Sequence, residues 1–383
     1  MTKFPSLFEI AGLIVFSAMA AMLLAEYGFG QHDWSAYWRA THLFFAGEDP
    51  YSLVAHEQFA AKHLETHSPN LQIWNPPLLF PLLLPIAIWS FETSITVLHF
   101  VTIFLSALMA WLCFDFISPR PLRWFSALCI FIFPPMLMNV LIGQLGVIIA
   151  FGVFMGVYLL LKRRDFLSGF FFLLASPKPH SWFLIAALVG VIVVSQRRWK
   201  VIAGMLTGLL PLLYCCLYVN PDIFSLWIGM DNNPLPWASV SGVTPLRLWL
   251  SSAGYSNDWP LLLIPGAALM LVLFLSIYRG THWSTEEGIV GVITLSMLVA
   301  PFGWGFDQML LLCPFIFSIA HGVQERDRGV GFRISCGLAP LLGFVYLGCL
   351  SHVEVYWFFL YAPALYLIWR FTKWQREKRA SLS

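Results

Sequence analysis

The sequence predicts an all-α, polytopic integral membrane protein. Of its 383 residues, 59% are apolar and only 11% are charged, and the mean hydropathy is +0.75. A soluble domain of this length does not carry so apolar a composition. Apolar runs of about twenty residues, the length that crosses a bilayer as a helix, recur along the chain. The net charge of +2 is uninformative by itself, because in a membrane protein the placement of lysine and arginine matters more than their sum. No basic tract is long enough to bind nucleic acid, so no nucleic-acid partner is expected.

We predict about twelve transmembrane helices, within a range of eleven to thirteen, in a single integral membrane domain that covers residues 1–383. The predicted spans are 8–27, 93–116, 122–138, 144–161, 166–195 with a break at SPKPHS that makes two spans of it, 199–218, 259–278, 286–302, 305–321, 332–350 and 352–371. The first span is interpreted as a retained signal anchor, because the rest of the chain is equally apolar. A shorter apolar segment at 75–89 either dips into the membrane or crosses it.

The distribution of lysine and arginine predicts the orientation of the chain. Basic clusters at 120–123, 162–164, 196–200, 325–328 and 370–379 are expected on the cytoplasmic side. If segment 75–89 only dips, both termini are cytoplasmic, and two long polar loops, 28–75 and 219–258, face the extracytoplasmic side of the inner or plasma membrane. The chain has no internal repeat of the kind found in inverted-repeat transporters.

The first polar loop predicts two helices that lie in the membrane interface. The first follows the apolar span and stops at Gly47 and Asp49-Pro50, and the second covers residues 51–64. Asp33 stands near the start of the first helix. A carboxylate is costly to desolvate at this depth, so it is expected to face water, a partner or a ligand. The alternative, an N-cap for the helix, is compatible with that role.

An ordered set of motifs resembles glycosyltransferase family 87. The motifs are Asp33-x3-Tyr37-Trp38-x-Ala40, Ala46-Gly47-x-Asp49-Pro50-Tyr51, Asn75-Pro76-Pro77-Leu78-Leu79, Gly143-Gln144 and Lys178-Pro179. Each motif is weak alone. The set covers roughly residues 10–210, and the resemblance fades beyond about residue 220. The family groups polyprenyl-phosphate-dependent mannosyltransferases and their relatives within the GT-C superfamily.

The resemblance implies a GT-C-like fold and an inverting sugar transfer. Asp33 matches the position of the catalytic carboxylate in the first extracytoplasmic loop, and it would deprotonate the acceptor hydroxyl. The implied partners are a polyprenyl-phosphate-linked sugar, most simply mannose, a glycan or glycolipid acceptor, and membrane lipids. The implied donors do not generally need a metal, and no cofactor is expected.

Three basic residues are candidates for binding the donor phosphate. Lys178 and His180 lie at the proline-bounded break, where an ammonium and an imidazole suit a lipid phosphate. Arg247, in the second long loop, is a potential bidentate donor. The alternatives are a snorkelling lysine, a surface histidine and, for Arg247, an interfacial anchor.

The remaining candidates would contact the sugar or the acceptor. They are Tyr37, Asp49, Tyr51, Asn75, Gln144, Asp307 and Gln308. Gln144 either binds sugar hydroxyls or caps a helix. Asp307 interrupts an apolar region, where an acid is a functional candidate by default. Part of the resembled family carries Ser-Pro-x-x-Trp followed by histidine at the comparable turn, whereas this chain has Ala300-Pro301, so Asp307 either binds sugar, pairs with Arg247 or caps a span.

Five histidines in the first loop raise the question of a metal site. They are His32, His42, His56, His63 and His67. His63 and His67 have the spacing of two ligands on one helix face, but no H-E-x-x-H motif accompanies them, so a solvated interfacial face is the favoured interpretation. Two competing classes remain open, a lipid or solute transporter without catalysis and a degenerate family member that only binds glycolipid. A transporter would place its ionisable residues near mid-membrane rather than in outer loops.

Overall fold

The computed structural model describes residues 6–29, 31–63, 71, 73–113, 133–230, 249–250, 252–254, 261, 263–278, 286–300, 305–312 and 314. Within these residues the chain is helical and has no β-strand, which confirms the all-α class. The helices are α1 (Leu7–Glu26), α2 (Gln31–Phe45), α3 (Leu53–His63), α4 (Leu79–Ala87), α5 (Phe91–Cys113), α6 (Pro134–Ile142), α7 (Gly146–Leu161), α8 (Asp165–Phe172), α9 (Pro179–Ser195), α10 (Lys200–Val219), α11 (Ile223–Gly229), α12 (Ile264–Tyr278) and α13 (Glu286–Leu298). Short 3-10 helices lie at Leu173–Ala175 and Gly305–Leu311.

Three described helices are long and apolar enough to cross a membrane. They are Leu7–Glu26, Phe91–Leu112 and Lys200–Val219, and each matches a predicted span. Shorter apolar helices cover Gly146–Leu161, Asp165–Ala175 and Pro179–Ser195. The count of twelve spans and the GT-C architecture stay predictions, and the predicted spans 332–350 and 352–371 lie outside the described residues.

The apolar segment at 75–89 contains only a short helix. Helix α4 has nine residues, so it is about 14 Å long at 1.5 Å per residue. A bilayer core is about 30 Å thick. This helix is therefore too short to cross, in agreement with the topology in which the segment dips into the membrane.

Helix α7 forms the centre of the larger core. Nearly all of its residues are buried, because the helix is apolar on all sides and is surrounded by other elements. It packs against α5, α8 and the 3-10 helix Gly305–Leu311. The same packing holds the ends of α6, α7 and this 3-10 helix together, and the candidate site lies there.

Helix α2 differs from the predicted interfacial anchor. Its extent and its end at Gly47, which has a φ of 77°, agree with the prediction. Its aromatic side chains, however, are buried in the protein, where they pack on α4 and α5. Trp34 donates a hydrogen bond to Ser94 (2.8 Å) and Trp38 donates one to the carbonyl of Trp89 (3.1 Å). These partners, rather than lipid headgroups, satisfy the indole N–H groups of α2.

Helices α8 and α10 approach so closely that only glycine fits between them. A Cβ at Gly169 would lie 1.8 Å from the carbonyl oxygen of Val201, and one at Gly204 would lie 1.9 Å from that of Phe166. Small residues allow such approaches between helices in membranes. The two backbones must therefore separate if either glycine gains a side chain.

We expect Gly204→Ala to destabilise the protein by about 1–3 kcal/mol, because overpacking forces the backbone to shift. Gly190→Ala in α9 is the matched control, since a Cβ there meets nothing within 4 Å. Thermal unfolding in detergent, followed by tryptophan fluorescence, compares the two variants with wild type. A melting temperature for Gly204→Ala that equals that of Gly190→Ala would contradict the packing.

Candidate active site

Helix α2 presents Asp33 and Tyr37 on one face. The two residues are four positions apart, so their side chains are neighbours on the helix surface. Asp33 is the third residue of α2, inside the first turn, so the N-cap alternative is wrong. The positive end of the helix dipole nevertheless favours its negative charge.

Gln144 lies in a tight turn between α6 and α7. The turn is possible because Gly143 adopts a left-handed conformation (φ 76°, ψ 45°) that glycine accepts without strain. The backbone N–H groups of Gly143 and Gln144 both donate to the carbonyl of Asn139, at 3.1 and 3.0 Å. The turn thereby fixes the backbone of Gln144 and directs its side chain toward α2.

Lys178 lies in the predicted break between two apolar runs. It precedes Pro179, the first residue of α9, and follows the 3-10 helix Leu173–Ala175. Its ammonium lies 2.7 Å from Oδ1 of Asp307, and both side chains are buried. The partner of Asp307 is thus Lys178, a pairing absent from the predicted alternatives. His180 Nε2 lies 3.9 Å from the other carboxylate oxygen of Asp307.

The side chain of Gln144 links the two acids. Its Oε1 accepts from Lys178 (3.3 Å) and from the hydroxyl of Tyr37 (3.2 Å), and its Nε2 donates to Oδ2 of Asp33. An ammonium is only a donor, so the atom of Gln144 that faces Lys178 must be the oxygen. Its amino group then faces Asp33, which accepts as a carboxylate. We call Asp33, Tyr37, Gln144, Lys178, His180 and Asp307 the polar network.

The phenol of Tyr37 stays protonated in this network. Burial raises its pKa, and the charges of Asp33 and Asp307 raise it further. Tyr37 therefore donates its proton to Gln144 at any physiological pH. This second donor holds the amide in the orientation that Lys178 dictates.

The two carboxylates of the polar network differ in accessibility. The side chain of Asp33 is 18% exposed, whereas that of Asp307 is 1% exposed and faces Lys178. The charge of Asp307 is neutralised by the ammonium, and the charge of Asp33 is not neutralised in this way. Asp33 is consequently the carboxylate that can meet a molecule from outside.

Three other predicted residues form a layer next to the polar network. Asn75 donates from Nδ2 to the carbonyl of Pro177 (3.1 Å), directly before Lys178, and the hydroxyl of Tyr51 donates to the carbonyl of Asn75 (2.9 Å). Asp49 accepts from the backbone N–H of Tyr51 (2.9 Å). These contacts hold the first loop against the break before α9, so the motif residues are close to the network but have structural partners.

Gln308 and Arg247 are the last two predicted site residues, and only Gln308 lies within the described residues. Gln308, next to Asp307, is buried, and its Oε1 has no hydrogen-bond partner among the described residues. Such an orphaned acceptor requires an explanation in a folded protein. Arg247 lies outside the described residues, so its predicted contact with phosphate stays a prediction.

His32, one of the five histidines of the first loop, contacts Asp33 directly. Its Nδ1 lies 2.7 Å from Oδ1 of Asp33, and this hydrogen bond raises the pKa of His32 above its usual value of 6.5. The sequence signal was the adjacency of the two residues at the first turn of a helix. Among the described residues, no three His, Cys, Asp or Glu side chains converge as metal ligands, and His67 lies outside them.

The His32–Asp33 contact predicts a pH-dependent contribution to stability. Because the folded-state pKa of His32 is raised, the contribution is complete below the unfolded-state pKa near 6.5 and is lost as the pH rises through the folded-state value. His32 is 53% exposed, so we expect only a few tenths of a kcal/mol. The melting temperature of wild type should exceed that of His32→Gln at pH 5.5, and the difference should shrink at pH 8.5. A difference that grows with pH would contradict the contact, and His63→Gln, exposed on α3, is the control.

Comparison with known proteins gives one result. No curated protein and no solved structure matches the chain. The family model for glycosyltransferase family 87 matches residues 74–314, which include Gln144, Lys178, His180 and Asp307. The matched segment is more than half of the chain, although it begins after Asp33. The chain belongs to glycosyltransferase family 87, and with its three long apolar helices it is a membrane glycosyltransferase.

Proposed function

We propose that the protein transfers a sugar, with inversion, from a polyprenyl-phosphate donor to a hydroxyl of a glycan or glycolipid on the extracytoplasmic side of the inner or plasma membrane. Mannose is the proposed sugar. One observation supports the proposal most strongly: Asp33 is the partly exposed carboxylate of a polar network whose other carboxylate, Asp307, is buried and which includes two basic groups. A base close to groups that can bind a phosphate is what this reaction requires.

Asp33 acts as the general base in the proposed reaction. It takes the proton of the acceptor hydroxyl while the acceptor oxygen forms a bond to the anomeric carbon. The bond from that carbon to the phosphate oxygen breaks, and its electron pair leaves with the polyprenyl phosphate. Because a phosphate is stable as an anion near neutral pH, the departing group needs no strong general acid. One carboxylate is therefore enough, whereas glycoside hydrolases use two.

The donor phosphate is proposed to lie beside Lys178 and His180. The side chain of His180 is 30% exposed, so it is the more accessible of the two basic groups. Lys178 lies behind it, where its ammonium is paired with the buried carboxylate of Asp307. Arg247 remains a proposed third contact from the second long loop.

The sugar hydroxyls are proposed to reach Gln308. A hydroxyl of the donor would supply the hydrogen bond that Gln308 Oε1 lacks within the described residues. Asn75 and Tyr51 would shape the neighbouring wall, since their contacts hold the first loop against the break before Lys178. Specificity for one sugar over another would then follow from buried polar groups that only the correct hydroxyls satisfy.

The proposal is tested with the purified protein in lipid nanodiscs. Polyprenyl-phosphate-mannose is offered with a crude membrane-lipid extract as acceptor, and a nucleotide-linked mannose is offered in parallel. We expect transfer from the lipid donor alone, with a product whose anomeric configuration is opposite to that of the donor. Transfer from the nucleotide donor alone, or retention of configuration, would overturn the proposal. If neither donor reacts, polyprenyl phosphates of other hexoses and pentoses decide whether the sugar or the donor class is wrong.

A further inference from the structure

Both polar atoms of the Gln144 side chain have partners in the protein. Its side chain is buried, its oxygen accepts from Tyr37 and Lys178, and its nitrogen donates to Asp33. The oxygen also lies 3.4 Å from the backbone nitrogen of Leu145. A glutamine that binds a sugar hydroxyl would direct at least one of these atoms into an open cavity.

We propose that Gln144 is a positioning residue that fixes the carboxylate of Asp33 and couples it to the Lys178–Asp307 pair. The coupling is a chain of three contacts, from Asp307 to Lys178, from Lys178 to Gln144 and from Gln144 to Asp33. The middle contact sets the orientation of the amide, and the last one holds Oδ2 of Asp33. The other oxygen of Asp33 is held by His32, so the carboxylate cannot rotate freely.

The arrangement has a chemical consequence for Asp33. A hydrogen bond donated to a carboxylate favours its charged form, and the charged form is the one that accepts a proton from an acceptor hydroxyl. Gln144 thus keeps the carboxylate of the base oriented. Lys178 and Asp307 act through it, because the ammonium, together with the hydroxyl of Tyr37, holds the amide oxygen and leaves the amino group facing Asp33.

Gln144→Glu tests this inference with almost no change of shape. Glutamate keeps an oxygen for Lys178 and Tyr37 but replaces the amino donor with a second carboxylate oxygen. Two carboxylates in contact share one proton, so the pair holds a proton to a higher pH. We expect kcat to fall at least tenfold, the acid limb of the pH–rate profile to move up by about one unit or more, and the KM for polyprenyl-phosphate-mannose to change less than threefold.

A second readout does not require transfer. A water-soluble carbodiimide with glycinamide labels protonated carboxyl groups, and peptide mass spectrometry follows the labelling of Asp33 against pH. In Gln144→Glu the labelling should persist to a pH about one unit or more above wild type. Gln144→Met removes both the donor to Asp33 and the oxygen that accepts from Tyr37 and Lys178, but it adds no charge, so it should shift the curve in the same direction by less. Should Gln144→Glu fail to fold, the Gln144→Met curve decides.

Gln196→Glu is the matched control. Gln196 is exposed beyond the last residue of α9, where it accepts from Arg163 (3.2 Å). Helix α9 has 17 residues, so Gln196 lies about 25 Å from the break that holds Lys178. This variant adds the same charge without touching Asp33, and neither curve should move.

Failure of this inference and failure of the proposed function can be told apart. The inference rests on the proposed function only for its kinetic readout, because the labelling of Asp33 does not require sugar transfer. An unshifted labelling curve in both Gln144 variants would overturn the inference. So would a raised KM with unchanged kcat and pH profile, which would assign Gln144 to substrate binding. A shifted labelling curve in a protein that transfers no sugar would uphold the coupling of Gln144 to Asp33 and refute the proposed function instead.

Discussion

Asp33→Asn is expected to leave a folded protein that has lost sugar transfer. General-base catalysis contributes roughly 10²–10⁴-fold to a rate, and we expect kcat to fall by a factor in this range. An amide at position 33 still offers an oxygen to Gln144, so the hydrogen bond that joins α2 to the turn before α7 can persist. The loss should therefore appear in turnover and not in the melting temperature.

The matched control for this variant is Asp222→Asn. Asp222 is exposed before α11 and makes no side-chain cap hydrogen bond. Both variants lose one negative charge in an extracytoplasmic loop of the predicted topology, so a general electrostatic effect would appear in both. Turnover of Asp33→Asn within threefold of wild type would remove Asp33 from the role of base.

Lys178→Met should be the most destabilising single change in the polar network. It leaves Asp307, whose side chain is 1% exposed, without its ammonium partner. Breaking a buried ion pair on one side costs about 3–5 kcal/mol, because an uncompensated charge remains in the interior. We expect a lower melting temperature and reduced yield, while Lys200→Met, at an exposed lysine that begins α10, should behave as wild type.

The double variant Lys178→Met/Asp307→Leu separates stability from function. Apolar residues of similar volume often replace a buried ion pair without loss of stability. Asp307→Leu should therefore recover most of the stability that Lys178→Met loses. Transfer should stay impaired, because Lys178 is then missing both from the proposed phosphate site and from the oxygen of Gln144. A double variant as unstable as Lys178→Met, or one with normal transfer, would contradict the assigned role of the pair.

The sequence was sufficient to locate most of the network. Helical periodicity, the stop at Gly47 and the proline-bounded break placed Asp33 and Lys178 at ends of helices, as the structure has them. Such local signals depend on residues within one or two turns of each other. The same holds for Gly143, whose left-handed conformation ends α6.

The pairing of Lys178 with Asp307 could not be predicted from the sequence. The two residues are 129 positions apart, and they meet only because α7 packs against both α8 and the 3-10 helix Gly305–Leu311. No residue near Gln144 in the chain indicates Tyr37, Asp33 or Lys178 as its partners, so the sequence alone predicts a sugar contact or a helix cap and not the positioning role proposed above. The sequence likewise predicts an interfacial position for the aromatic residues of α2, because their packing on α4 and α5 depends on tertiary contacts that the local pattern does not show.

The role of Asp33 is tested most directly by a cryo-electron-microscopy structure of Asp33→Asn in a nanodisc with polyprenyl-phosphate-mannose bound. We expect the phosphate beside Lys178 and His180 and the anomeric carbon facing the side chain of residue 33, with room for an acceptor oxygen between them. A donor bound away from the polar network, or one whose anomeric carbon faces away from residue 33, would contradict the central claim that Asp33 is the base of a lipid-phosphate-dependent sugar transfer.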